Sequence, residues 1–216
     1  MYSIKKLKNI YLVGVSRCGK TLTASKLQEK YGYTHIIMDA VIETMSQVEP
    51  QLGIRHGNLE SDAFKKFLES YSKNLFKYTK HNIIDLEVLS PSFAKKLIND
   101  DESIVIYMGY PNITPKEKIA QMRKYDTRFD WTKNLSDEDL IEMLTTNIEK
   151  SKKIQAEAKA NGFTFIDTSF NRENVIEQCI DQLFKSGQLY RTEESYDRYD
   201  SCLLYTSPSP RDSTSS

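Results

Sequence analysis

Five short apolar runs recur along the chain, and a stretch with helical spacing follows each of them. Residues 10–14 (IYLVG) form a continuous apolar run closed by glycine, the pattern of a strand buried on both faces. From Lys20 the spacing turns helical, with Leu22, Ala24 and Leu27 on one side, and it ends near Tyr31 and Gly32. Residues 35–38 (HIIM) read as a second strand ending at Asp39, and 40–48 as a short helix. Pro50, Gly53 and Gly57 then break the chain. Leu59, Ala63, Phe64, Phe67, Leu68, Tyr71 and Leu75 recur at helical spacing and predict a long amphipathic helix. A third strand is expected over 82–86. Ser90 and Pro91 mark a helix start, serine as N-cap and proline in the first turn.

The second half repeats the scheme. Residues 104–108 (IVIYM) predict the fourth strand. Thr114-Pro115-Lys116-Glu117 is a capping box, and Ser136 to Asp139 is a second. The second box opens a helix with Leu140, Leu144, Ile148 and Ala158 on one stripe, ended by Asn161-Gly162. Residues 163–166 predict the fifth strand. Asn171 is expected to cap a last helix carrying Val175, Ile176, Cys179 and Leu183. Strands alternating with helices predict an α/β fold, a five-stranded parallel sheet flanked by helices in three layers.

Charge narrows the function classes. Thirty basic residues balance thirty acidic ones, so the net charge is zero, which argues against a general nucleic-acid binder. At 39% hydrophobic and 28% charged, the composition is that of a soluble globular protein. No apolar run approaches the roughly 20 residues of a membrane helix, and the N-terminus shows no secretion signal. Cys18, Cys179 and Cys202 form neither a disulfide framework nor a metal pattern. A cytoplasmic location is expected.

Residues 1–187 are expected to be the domain and 188–216 a polar tail. Within the tail, CLLYTSPSPRD (202–212) resembles the in-frame translation of a sequencing-library transposase adapter. It is excluded from the fold reading together with the STSS after it. A natural disordered tail predicts the same physical behaviour.

The strongest chemical signal is Gly14-Val15-Ser16-Arg17-Cys18-Gly19-Lys20-Thr21, which fits G-x-x-x-x-G-K-[ST] at every fixed position. Glycines let such a loop fold around an anion, and its backbone N–H groups point inward. The following helix adds its positive end. A lysine at the position of Lys20 reaches the β- and γ-phosphates, and a hydroxyl at the position of Thr21 ligates Mg²⁺.

On these residues the chain resembles the P-loop NTPases. More narrowly, over 9–185, it resembles the small P-loop kinases of the nucleoside-monophosphate-kinase group. The resemblance implies ATP and Mg²⁺ as cofactors, with residues 14–22, through Leu22, holding ATP. It implies γ-phosphoryl transfer to a small-molecule acceptor such as a nucleoside, a nucleotide or a related metabolite. It also implies a mobile lid, here 111–135. Two departures stand out. The loop lacks the extra internal glycine of many such kinases, and Asn82-Ile83-Ile84-Asp85 is only a partial Walker B motif.

Other site residues follow from position. Asp39 ends a strand, where ligands of parallel sheets lie, and could orient or deprotonate the acceptor; its structural alternative is a helix N-cap. Glu43 is its companion one turn on. Asp85 and Glu87 share one face of the third strand, Asp85 toward Mg²⁺ and Glu87 toward the acceptor, unless they are only a polar strand end. Arg55 falls in the acceptor-binding insertion. Arg123 and Arg128 fall in the lid, Arg128 as the cation on the transferring phosphoryl; a solvated helix face is the alternative. Thr168, Ser169 and Asn171 follow the fifth strand, where the family's adenine loop lies. His35 receives no role, His56 reads as an exposed loop residue, and Trp131 is expected to pack. Two other readings compete with a small-molecule kinase, namely a polynucleotide or toxin-type kinase and a nucleotide-binding regulator with slow hydrolysis.

Overall fold

The computed structural model describes residues 7–87, 89–98, 101–125 and 130–190. Its five strands are β1 (Asn9–Gly14), β2 (Thr34–Ile37), β3 (Asn82–Leu86), β4 (Ser103–Gly109) and β5 (Thr164–Asp167). All pair in parallel, in the order β2-β3-β1-β4-β5. Seven helices cover the sheet: α1 (Lys20–Tyr31), α2 (Met38–Val48), α3 (Asp62–Tyr78), α4 (Pro91–Leu97), α5 (Pro115–Tyr125), α6 (Asp137–Ala160) and α7 (Arg172–Lys185). The expected strands and helices are all present.

The central strands are buried on both faces, as their unbroken apolar runs require. Every residue of β1 and β3 is buried. The edge strand β2 is half exposed. The caps follow the expected chemistry. The hydroxyls of Ser61, Ser90 and Ser136 accept from the N–H groups of Phe64, Phe93 and Asp139. Thr114 and Glu117 make the reciprocal capping box, Thr114 N–H to Glu117 at 2.9 Å and Glu117 N–H to Thr114 at 3.3 Å.

Four expectations need correction. Asn171 stands at the N-cap of α7 with φ 47°, and its side chain caps nothing. The turn there uses its tolerance of left-handed backbone rather than its amide. Asp39 is no N-cap either, because α2 already begins at Met38. Trp131 does not pack; it is 61% exposed in a short 3-10 turn over Trp131–Asn134. The packed body also runs past residue 187. Leu189 is fully buried, and Lys8 N–H donates to its carbonyl at 2.7 Å. The adapter-like stretch lies outside the described residues. No helix among the described residues is long and apolar enough to cross a membrane.

Candidate active site

The loop 14–21 leaves the carboxyl end of β1, the strand between β3 and β4 where the strand order reverses. In an open parallel sheet the ligand crevice forms at that point. The two loop glycines serve different ends. Gly19 sits at φ 103°, left-handed backbone that other residues rarely adopt. Gly14 needs closeness instead, since a Cβ there would lie 2.5 Å from the Met108 carbonyl oxygen of β4. Val15 and Cys18 turn their side chains into the core, so only their backbone can face a ligand.

Three side chains pin the loop from behind. Tyr110, just past β4, donates its hydroxyl to the Ser16 carbonyl at 2.9 Å. Thr168, just past β5, donates to the Cys18 carbonyl at 2.8 Å and to the Gly109 carbonyl at 3.0 Å. Arg17 forms an ion pair with Asp130 from the far end of the expected lid. Gly109 lets α6 approach β4, for a Cβ there would meet Ser151 Oγ at 2.7 Å. That Ser151 hydroxyl accepts the Tyr110 N–H at 3.2 Å. The aromatic pin is therefore set by the sheet and α6 together.

Lys20 is mostly buried. Its Nζ donates to the Gly14 carbonyl at 3.0 Å and lies 3.8 Å from Asp85 Oδ1 at the end of β3. The other Asp85 oxygen is 3.2 Å from His35 Nε2. Asp39 stands at the start of α2, exposed as a residue while its carboxyl is partly shielded. Partial burial of its carboxyl raises its pKa; Lys20 opposes this, Asp85 adds to it, and His56 and Glu87 act as lesser opposing and reinforcing charges. Glu87 accepts from or pairs with His56 Nδ1 at 2.8 Å. Asp39, Asp85, Glu87 and Lys20 thus gather at one end of the sheet, and two histidines join them.

Other expected residues fall elsewhere. Glu43 holds Gln47 at 2.8 Å on the exposed side of α2. Arg55 is exposed on its loop. Arg123 turns to the backbone of its own segment, donating to the carbonyls of Lys133 at 3.0 Å and Leu135 at 3.2 Å, and pairs with Asp137 at 3.1 Å. It braces that segment. Thr21 is exposed at the start of α1. Arg128 lies outside the described residues.

A cavity of about 560 Å³ opens on the other side of the loop. Gln121, Tyr125, Asn171 and Arg172 are among its walls. The Arg172 guanidinium lies 5.1 Å from the Tyr125 ring centroid, and its chain lies beside Gly19. A second cavity, about 390 Å³, runs from Glu87 and loop 57–60 to Lys150 and Lys153 of α6.

Sequence reasoning missed Tyr110, His35 and Lys118. His35 reaches Asp85 only through the pairing of β2 with β3, which a sequence does not display. Lys118 left a trace, a lysine four residues before Met122 on the inner stripe of α5.

No family profile matches the sequence, and no curated protein matches it by sequence. Solved structures do match. A gluconokinase from Sinorhizobium meliloti superposes with a TM-score of 0.55 at 14% identity, over 86% of this chain and 96% of that one. A sugar kinase from a Janibacter species gives 0.54 at 15% identity, over 86% and 99%. A shikimate kinase from Acinetobacter baumannii, solved with shikimate, gives 0.52 at 20% identity, over 85% and 96%.

The chain has the P-loop kinase fold. In that fold the loop between β1 and α1 meets the ends of β3 and β2, which here carry Asp85 and, one residue into α2, Asp39. The segment between β4 and α6 holds α5 and the 3-10 turn, tied to the loop through Asp130.

Proposed function

We propose that this protein is an ATP- and Mg²⁺-dependent kinase that phosphorylates a hydroxyl group of a small metabolite. The observation that carries the proposal is the placement of Lys20. Its ammonium stands between the phosphate loop and Asp85, with the Asp39 carboxyl among its charged neighbours. Phosphoryl transfer needs little covalent help from a protein; it needs positioning and positive charge on the transferring group.

In this reading the loop N–H groups of 14–21 and Lys20 hold the β- and γ-phosphates. Asp39 accepts the hydroxyl proton of the acceptor. Its pKa is raised, chiefly by burial, which makes it a stronger base than a free aspartate. Glu87, ordered by His56, binds a further hydroxyl of the acceptor, and the adjoining cavity gives a larger acceptor room. The cavity between Tyr125 and Arg172 receives the base. Arg128 is the lid cation. The donor set fits Mg²⁺, since Thr21 and Asp85 offer the hydroxyl and carboxylate oxygens that this ion takes alongside water and phosphate. When bound, Mg²⁺ neutralises charge on the β- and γ-phosphates.

The names of the matching structures, a gluconokinase, a sugar kinase and a shikimate kinase, favour a hydroxylated metabolite over a polynucleotide. The balanced charge favours the same choice. An ADP-release screen across sugars, sugar acids, nucleosides and nucleotides tests the proposal. Stimulation by one acceptor class is expected. A slow rate indifferent to every acceptor would favour a nucleotide-binding regulator.

A further inference from the structure

Helix α5 carries a lysine where its pattern calls for an apolar residue. Lys118 faces inward four residues before buried Met122 and is itself only 1% exposed. Its Nζ lies 4.2 Å from the centroid of the Tyr110 ring. Among the described residues no carboxylate pairs with it and no hydrogen bond from its side chain is made. A buried ammonium is retained only where something compensates it. An aromatic face compensates in part.

The charged and titratable groups around Lys118 come from three elements. Arg17 and Cys18 belong to the phosphate loop, Arg172 begins α7, and Tyr110 ends the β4 connection. Arg17 and Arg172 both repel the ammonium. Burial first, and then these cations, bring its pKa down to about 8, with the Cys18 thiol pulling the other way. Tyr110 holds its proton well above the usual phenol range because it is buried. Among the described residues of these elements no carboxylate acts on Lys118. The ring under the ammonium is itself tied to the loop, because the Tyr110 hydroxyl donates to the Ser16 carbonyl at 2.9 Å.

We propose that Lys118 is a positioning cation of the polyphosphate site, standing behind the phosphate loop and binding the anion through its field, with the bound polyphosphate as its counter-ion. The inference rests on reading 14–21 as a nucleotide site. Water screens so buried a charge only weakly, so its potential extends through Tyr110 and Cys18 to the loop. The competing role is structural, with the lysine stem filling space and the ammonium stacking on Tyr110.

Lys118→Met separates the two, because it keeps the stem and removes the charge. Binding of ATP, ADP and inorganic tripolyphosphate is measured by calorimetry without acceptor, and thermal unfolding is followed with and without ligand. The variant should melt at or above the wild-type temperature when free. It should bind ATP and tripolyphosphate at least about tenfold more weakly, the scale of one charge acting through protein, and lose less for ADP. Wild-type binding near pH 8 should take up a proton, detected in buffers of different ionisation enthalpy, and the variant should not.

Unchanged affinities with a lowered melting temperature would overturn the proposal in favour of a structural lysine, while leaving the nucleotide site standing. Should Lys118→Met fail to fold, the wild-type proton uptake decides, and its absence overturns the proposal. A folded wild type that binds neither ATP nor tripolyphosphate would overturn both this inference and the kinase reading.

Discussion

The hydroxyl of Thr168 donates to the carbonyl of Cys18 at 2.8 Å, across 150 residues of chain. It joins the end of β5 to the middle of the phosphate loop, and its second contact, to Gly109, adds the end of β4. Thr168 is fully buried, so the carbonyls it serves have no water to replace it. Thr168→Val keeps the shape and removes the donor. Stability should fall by about 1–3 kcal/mol, the cost of a buried group left unpaired. ATP affinity should fall with it. A melting curve and a nucleotide titration check both, and a variant indistinguishable from wild type would show that the loop holds itself.

Lys20→Ala should remove ADP formation, by roughly 10²-fold or more, the scale of losing a preorganised electrostatic group. The fold should persist, because Asp85 keeps His35 as a neighbour and the sheet is packed without Lys20. Circular dichroism beside an ADP-release assay tests this. Normal turnover would exclude the kinase reading.

Asp39 gives a pH signature. Its folded pKa is raised, chiefly by burial, so protonation is favoured in the native state. Its contribution to stability is present at low pH and is lost as pH rises through the raised value. Asp39→Asn should therefore be at least as stable as wild type at pH 7. Activity runs the other way. As pH falls through the raised pKa the base is lost, so the acid limb of kcat/KM should lie above the position of an unperturbed aspartate. A limb at the usual aspartate position would remove Asp39 from the role of base.

A cysteine beside a helix N-terminus can have a lowered thiol pKa. Cys18 stands in that position, and its burial works against it. The side chain is fully buried, and burial raises the thiol pKa despite the opposing pull of Lys20 and Lys118. Alkylation of Cys18, followed by peptide mapping, should be slow in the native protein with or without ATP and rapid after denaturation. Fast native labelling blocked by ATP would mean that the thiol is exposed when the loop is empty.

The ion pair of Arg17 and Asp130 links the phosphate loop to the segment between β4 and α6. Exposed Trp131 is next to it in sequence. Asp130→Asn should change stability by only about 1 kcal/mol. It should raise the concentration of ATP-Mg²⁺ needed to change Trp131 fluorescence. Fluorescence indifferent to ligands in both proteins would make the segment a fixed structural element. Arg128→Ala, at a position outside the described residues, should lower kcat by roughly 10²-fold if that arginine meets the transferring charge.

The sequence alone determined the elements and the glycine-lysine-threonine loop after β1, because both are local. Continuous apolar runs, period-3.6 patterns, serine caps and a glycine-lysine-threonine loop are written in neighbouring residues, and β1, α1 and α6 follow them closely. Strand alternation with helices determined a parallel sheet. Tertiary structure alone decided which polar side chains meet. Lys20 faces Asp85 because β1 pairs with β3, and His35 reaches Asp85 because β2 does. It decided that Cys18 is buried and Trp131 exposed, since burial depends on what the other layers cover. It also decided that Arg123 braces its own segment and that buried Lys118 sets its ammonium over Tyr110, whose hydroxyl reaches the loop. Those are contacts between residues far apart in the chain, and no local pattern encodes the distance between them.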